Sequence, residues 1–323
     1  MKLAKTYSFI KKDLNEIESV LEETIYTDQD VLRDASLQLL RAGGKRLRPV
    51  FVLLAAMFGD YQIQRINKVA SALELIHMAS LVHDDVIDDS NIRRGKPTVK
   101  ANWDNQIAML TGDFIFAKAL DQFTEIESPR AHQILSKTMI ELTVGEIEQI
   151  KDKYNLEQNM RTYLRRIRRK TALLISSSCQ LGAIVANTSK ETEKALFNYG
   201  YNMGMSYQII DDILDFTGTE KELGKPAGGD LLQGNITLPV LYAMKNDAIK
   251  AELERLFSNP EKLTKDILKP VIDKIRNTDA IQQSRLISDR YLDKAYESLH
   301  ILPNIKARKS LEDIANYIGN RKI

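Results

Sequence analysis

Six aspartates fall into two clusters of identical spacing. Asp84, Asp85 and Asp88 close the run LELIHMASLVHDDVIDD, and Asp211, Asp212 and Asp215 close GMSYQIIDDILDF. On a helix, Asp84 and Asp88 lie four apart on one face with Asp85 about 100° round, and the second cluster repeats the pattern. Carboxylates this close repel one another, and the backbone dipole adds to the penalty near a helix C-terminus, where both apolar runs end. A hard cation removes both costs. Magnesium suits the pattern because it takes oxygen ligands, uses few carboxylates and completes its octahedron with water and phosphate oxygens. A solvated acidic helix end explains one such cluster, but two with matching apolar approaches point to metal.

Basic residues beside the clusters point to a phosphorylated ligand. Arg93 and Arg94 follow the first cluster in DSNIRRGKPT, and Lys225 follows the second in ELGKPAGGD. The turn AGGKRLRP offers Lys45, Arg46 and Arg48 just before a new helix, where backbone N–H groups also bind phosphate. Arginine makes fork-like phosphate contacts and lysine a point charge. This is not a Walker loop, since Arg46 follows Lys45 where that motif needs Ser or Thr. Each turn alone reads first as a solvated loop; the set carries the signal.

These residues need elements to hold them. Apolar residues recur at three and four positions, as in 69–82 and 173–185, which is the helical period, and no convincing run alternates as a strand does. Turn chemistry at Gly43-Gly44, Gly59-Asp60, Gly95-Lys96-Pro97, Ser128-Pro129, 224–229 and Asn259-Pro260 cuts the chain into pieces of roughly 12 to 30 residues. The expectation is an all-α fold, a single-domain bundle of long helices spanning 1–323, and helices of this length can line a deep cavity. A 43% hydrophobic content is enough for its core. Lys and Arg total 46 against 44 acidic residues, and a net charge of +2 gives no global reason to expect nucleic acid or an anionic membrane.

Other residues read more plainly. Cys179 is the only cysteine, excludes an intrachain disulfide and reads as core packing. The stretch MKLAKTYSFIKKDLNEIESV lacks a signal peptide's apolar run, and the apolar stretch 50–58 is too short to span a bilayer, so a cytoplasmic protein is expected. His77 and His83 lie six apart, not at zinc-pair spacing, and read as core histidines. Arg161, Arg165, Arg166, Arg168 and Arg169 read mostly as a solvated face, with a membrane-surface or RNA patch as the alternative, although no stacking platform supports RNA.

As an ordered set, AGGKRLRP, LVHDDVIDDSNIRRGKPT, MIELTVGEIEQI, RRKTA, GMSYQIIDDILDF and GKPAGGDLLQGNITLP resemble the trans-polyprenyl diphosphate synthase family over nearly the whole chain. Within that family the likeness is greatest to the catalytic component of two-component enzymes that make the heptaprenyl side chain of menaquinone. The resemblance implies the isoprenoid synthase all-α fold around a deep central cavity. It implies that Asp84, Asp85, Asp88, Asp211, Asp212 and Asp215 hold several Mg²⁺ ions bridging an allylic diphosphate. Lys45, Arg48, His77 and Arg94 would bind isopentenyl diphosphate, and Arg93, Lys170, Thr171, Gln208 and Lys225 would grip the allylic diphosphate. Asp84, Asp85, Asp88, Asp211, Lys170 and Lys225 form the implied catalytic set. Diphosphate leaves C1, the isopentenyl double bond attacks the allylic cation, and a proton is lost to the released diphosphate.

The resemblance also implies a dimer with a small noncatalytic subunit, transient membrane contact on product release and no nucleic acid. Many members carry lysine where this chain has Asn235, a departure from the family pattern that puts one diphosphate contact in doubt. Only Val86-Ile87 separates Asp85 from Asp88, without the insertion common in bacterial short-chain members. Ala79 and Ser80, five and four residues before Asp84, are small where bulky aromatics would floor the growing tail, leaving Ile76 and deeper residues to limit a long product. Small residues that merely allow close helix packing are the competing reading. A metal-dependent phosphohydrolase would use more histidines than His132 and His300 provide, and a terpene cyclase fits the repeated aspartate motif less well. A noncatalytic scaffold or regulatory subunit would not need intact aspartates and basic turns.

Overall fold

Apolar spacing at three and four residues folds here as helix after helix. The computed structural model describes residues 8–218 and 228–321; Lys225 and most of the 224–229 turn lie outside the described residues. The helices are α1 (Lys11–Thr24), α2 (Asp30–Arg41), α3 (Leu47–Ala56), α4 (Ile63–Ile87), α5 (Val99–Asn102), α6 (Asn105–Thr124), α7 (Pro129–Asp152), α8 (Met160–Ile167) and α9 (Leu173–Val185). They continue with α10 (Lys190–Thr217), α11 (Gly229–Leu232), α12 (Leu238–Ala243), α13 (Asp247–Phe257), α14 (Lys265–Arg276), α15 (Ala280–His300) and α16 (Lys306–Gly319). The expected breaks at 43–44, 59–60 and 95–97 fall between helices, and Pro129 and Pro260 each open one, the second a short 3-10 turn.

Two local features at the predicted site residues depart from plain helix. The turn after the first aspartate cluster is a hairpin of β1 (Ile92–Arg93) and β2 (Lys96–Pro97), with Arg93 opposite Lys96. Arg94 and Gly95 link the strands at φ +55° and +73°, the left-handed pair that a two-residue type I′ turn requires. Between α8 and α9, the RRKTA residues Arg168–Ala172 form a π-helical turn. Such turns widen the helix locally and are often found at functional sites.

The chain divides into two compact units. The first comprises Met1–Ser136, Ser177–Phe197 and Ile301–Leu311. After Arg48 its α3 is apolar on every side and buries each residue from Val50 to Ala56, as a core helix does. Cys179 is buried here, and burial raises its thiol pKa, which fits packing rather than reactivity. The second unit comprises Lys137–Ser176, Asn198–His300 and Glu312–Ile323. One of its apolar clusters gathers Phe216, Leu231, Val240, Leu253 and Leu268, and another gathers Tyr163, Ile167, Ile209, Ile213 and Leu238.

The arginine run is less solvated than its composition suggests. Arg161 and Arg165 are exposed, but Arg166 is buried, donating to Gln158 Oε1 at 2.8 Å and to the Ile236 carbonyl. Arg168 and Arg169 pair with Glu141 at 2.6 and 3.0 Å. The helical period turns Arg166 towards the buried face that carries Tyr163, three residues earlier. Among the described residues no helix is long and apolar enough to cross a membrane.

Candidate active site

Helix α4 carries a mainly apolar run from Val69 to Val82, so the first aspartate cluster sits where that run and the helix stop, with Asp88 at the C-cap. Asp84 and Asp88 are half-buried, whereas Asp85 is only 3% exposed. The Asp85 carboxylate accepts from Arg93 Nε and Nη2, each at 2.8 Å. Burial raises the Asp85 pKa and the Asp84 and Asp88 charges add to the rise, while Arg93 opposes it. The repulsion expected from the spacing is present.

The basic turns converge beside this cluster. His77, two helical turns before Asp84, lies within the fields of Arg48, Arg94, Arg93 and Arg46. Burial first, and those arginines after it, hold the imidazole well below its ordinary pKa. A neutral imidazole keeps an N–H donor without adding a further positive charge. Arg94 reaches the 43–46 turn from the hairpin tip: a Cβ on Gly44 would meet its Nη1 at 2.8 Å. The hairpin is tied down by Lys96 Nζ to the Arg41 carbonyl and by Gln38 Nε2 to the Pro97 carbonyl, both at 3.0 Å. Lys45 is exposed and Arg48 half-buried.

Arg46 is turned inward, so it does not share in the phosphate role considered for that basic turn. At φ +48° it precedes α3, pairing with Glu18 and, at 3.2 Å, with Glu74. Glu74 is 3% exposed and also lends its charge to Arg94. The sequence offered one signal for it, a lone acid in the apolar run ALELIH.

In the second unit, α10 carries the other cluster through its last two turns. Asp211 is half-buried and accepts from Arg321 Nη1 at 2.6 Å, and that guanidinium lies 5.3 Å from the Tyr207 ring. Asp212 and Asp215 are buried. Asp212 accepts from Gln208 Nε2 at 2.8 Å and from Tyr163 Oη at 2.7 Å, and burial, helped by Asp230, raises its pKa. Asp215 accepts from the Asp230 backbone N–H at 3.1 Å, at the start of α11. Thr171 donates to Gln208 Oε1 at 2.6 Å, and Lys170 reaches Gln149 Oε1 at 3.1 Å and Glu146 at 3.4 Å. Gly204 lets α10 approach the π-helical turn, since a Cβ there would lie 2.7 Å from Ala172 Cα.

Each cluster thus differs from the uniform acid triplet that its spacing suggested. Asp84, Asp88 and Asp211 are the half-buried members, while Asp85, Asp212 and Asp215 are buried and bonded internally. Among the described residues no three or more His, Cys, Asp and Glu gather as a metal-holding group. One or two hard oxygen ligands at a time is nonetheless what Mg²⁺ takes from a protein when phosphate and water fill its shell. The raised Asp85 pKa and the guanidinium standing as a cation on Asp211 fit that use. Ile76 and Ala79 are fully buried, and Ser80 is half-buried, donating to the His77 carbonyl at 2.8 Å. Asn235 is half-buried, with its backbone N–H on the Asp230 carbonyl at 2.8 Å. Tyr163 and Arg321 carried no sequence signal, because their partners lie 49 and 110 residues away.

Known proteins share this sequence pattern and this fold. A family model described as polyprenyl synthetase matches residues 29–275. The heptaprenyl diphosphate synthase component 2 of Bacillus subtilis is 60% identical over 322 residues, covering 100% of this chain and 92% of that protein. The crystal structure of heptaprenyl diphosphate synthase from Staphylococcus aureus superposes with a TM-score of 0.93 at 43% identity, covering 97% of this chain and 98% of that one. A polyprenyl synthase from Caulobacter crescentus, complexed with calcium and isoprenyl diphosphate, superposes with a TM-score of 0.95 at 30% identity, covering 100% and 98%. The family match over most of the chain and the full-length identity show that the chain belongs to the polyprenyl synthetase family.

Proposed function

We propose that the chain is a long-chain trans-prenyltransferase that condenses isopentenyl diphosphate onto an allylic diphosphate such as farnesyl diphosphate, with heptaprenyl diphosphate for the menaquinone side chain as its product. The observation that carries this reading is the Arg93–Asp85 pair at 2.8 Å, which ties the basic hairpin to the acidic end of α4, the helix that also carries His77. A site for anions thus adjoins a site for cations, the pairing that a metal–diphosphate needs. Full-length relatives named heptaprenyl diphosphate synthase component 2 support the product class. A phosphohydrolase or a noncatalytic scaffold has no comparable support.

The residues divide the work. Asp84, Asp88 and Asp211 hold the Mg²⁺ ions, and Asp85, Asp212 and Asp215 brace them from within. Lys45, Arg48, His77 and Arg94 bind isopentenyl diphosphate; Arg93, Lys170, Thr171, Gln208 and Lys225 bind the allylic diphosphate. Bound Mg²⁺ supplies positive charge to the departing diphosphate oxygens. Arginine and lysine donors fixed beside those oxygens stabilise the same charge as the C1–O bond breaks. The isopentenyl double bond then attacks C1, and a proton passes to the released diphosphate, so no enzyme nucleophile is needed. Residues 1–323 act as one polyprenyl synthase domain, in a dimer with a small noncatalytic subunit, in the cytoplasm, with passing membrane contact as the apolar product leaves.

The test is elongation. Isopentenyl and farnesyl diphosphates with Mg²⁺, the chain and the small subunit should give longer trans-prenyl diphosphates; release of diphosphate without extension would reject the reading. Asp84→Ala and Asp211→Ala should each lower turnover about 100-fold or more while the fold survives. Near-normal turnover in both would reject the metal assignment.

A further inference from the structure

The buried Tyr163 has no part in the roles given above, yet it ends an unbroken hydrogen-bond chain. Thr171 Oγ1 donates to Gln208 Oε1 at 2.6 Å, Gln208 Nε2 donates to Asp212 Oδ1 at 2.8 Å, and Tyr163 Oη donates to Asp212 Oδ2 at 2.7 Å. The donors of this chain converge on Asp212. With both Asp212 oxygens accepting, the amide nitrogen of Gln208 faces Asp212 and the amide oxygen faces Thr171. Asp212 can hold that amide only if its own plane is fixed, and its second oxygen is held by the phenol.

Tyr163 is built to be the immobile end. Its side chain is fully buried in the apolar cluster that contains Ile209, Ile213 and Leu238. Arg166 lies over the ring at 5.7 Å and is itself anchored by Gln158 and the Ile236 carbonyl. At the other end, Thr171 sits in the π-helical turn, against which Gly204 brings α10. Tyr163 on α8 and Thr171 on the π-helical turn are thus joined through two side chains of α10.

We propose that Tyr163 is a positioning residue for diphosphate binding: its hydroxyl orients Asp212, and through Gln208 sets the hydroxyl of Thr171. This rests on the prenyltransferase reading for the roles of Asp212, Gln208 and Thr171. Tyr163 is fully buried and acts only through the chain of donors.

Tyr163→Phe removes one hydroxyl and keeps the ring. Calorimetric titration of the full-length variant with magnesium pyrophosphate should show roughly tenfold weaker binding. With the small subunit present, kcat/KM for the allylic substrate should fall by a similar factor, and KM for isopentenyl diphosphate should stay within twofold. Adding Tyr163→Phe to Asp212→Asn should give no further loss, because the phenol acts through that carboxylate. Unchanged pyrophosphate binding, an equal rise in both KM values, or additive losses in the double variant would each overturn the proposal. If Tyr163→Phe does not fold, Asp212→Asn alone should show the same tenfold loss, and wild-type binding by it would overturn the proposal. A wild-type chain that binds magnesium pyrophosphate but extends no primer would reject the prenyltransferase reading and leave the binding test of Tyr163 standing.

Discussion

His77 shows how a bland residue acquires a function from its neighbours. Its spacing from His83 gave no metal signal, and a core histidine was the plain reading. The fold leaves it half-buried and brings the charges of four arginines to bear on it. Because its folded pKa lies below the ordinary value near 6.5, the unfolded chain binds the proton first as pH falls, and stability drops with pH below that value. Melting temperature should therefore fall between about pH 6.5 and 5, and His77→Gln should flatten that slope; an unchanged slope would place the titration elsewhere. Gly44 gives a second residue-scale expectation. A methyl group there meets the end of the flexible Arg94 side chain, which can swing aside. Gly44→Ala should leave the melting temperature within about 2 °C while raising KM for isopentenyl diphosphate several-fold, and a normal KM would mean that Arg94 does not need that seat.

The elements were legible wherever the chain states its own local preference. The turn residues predicted the breaks, and the apolar runs predicted α4 and α9. The hairpin at 92–97 was not read because two-residue strands have no period to detect; its cause is the left-handed pair Arg94-Gly95. The π-helical turn at RRKTA was also hidden, since an inserted residue changes the helix register without changing composition. Its close neighbour is Gly204. Here the obstacle to a side chain is backbone, the Ala172 Cα at 2.7 Å, which cannot rotate away. Gly204→Ala should cost about 1–3 kcal/mol in denaturant unfolding, as overpacking does, and should also disturb Lys170 and Thr171 on the facing turn. A neutral substitution would show that the two helices separate freely.

For the whole molecule, chain length is the property most exposed to test. Ala79 is fully buried, so a large side chain there would damage packing as well as any path for product. Ser80 is half-buried and its hydroxyl is spent on its own helix, so it is the better probe. Ser80→Phe should keep most of the stability and shift products towards shorter prenyl chains on thin-layer or mass analysis. An unchanged product distribution would place the length limit elsewhere, as at Ile76.

By itself the sequence determined that the protein is helical, that two acid clusters end apolar helices, and that basic turns accompany them. Each of these is written in residues less than about 20 positions apart, where spacing and composition report directly on local structure. Tertiary structure decided which acids stay partly open and which turn inward, since that depends on partners such as Tyr163 and Arg321 that arrive from distant segments. It also separated Arg46, spent on Glu18 and Glu74, from Arg48 and Arg94 beside His77. Identical residue types acquire different work because burial fixes which hydrogen bonds and charges each can reach, and burial is a property of the packed chain.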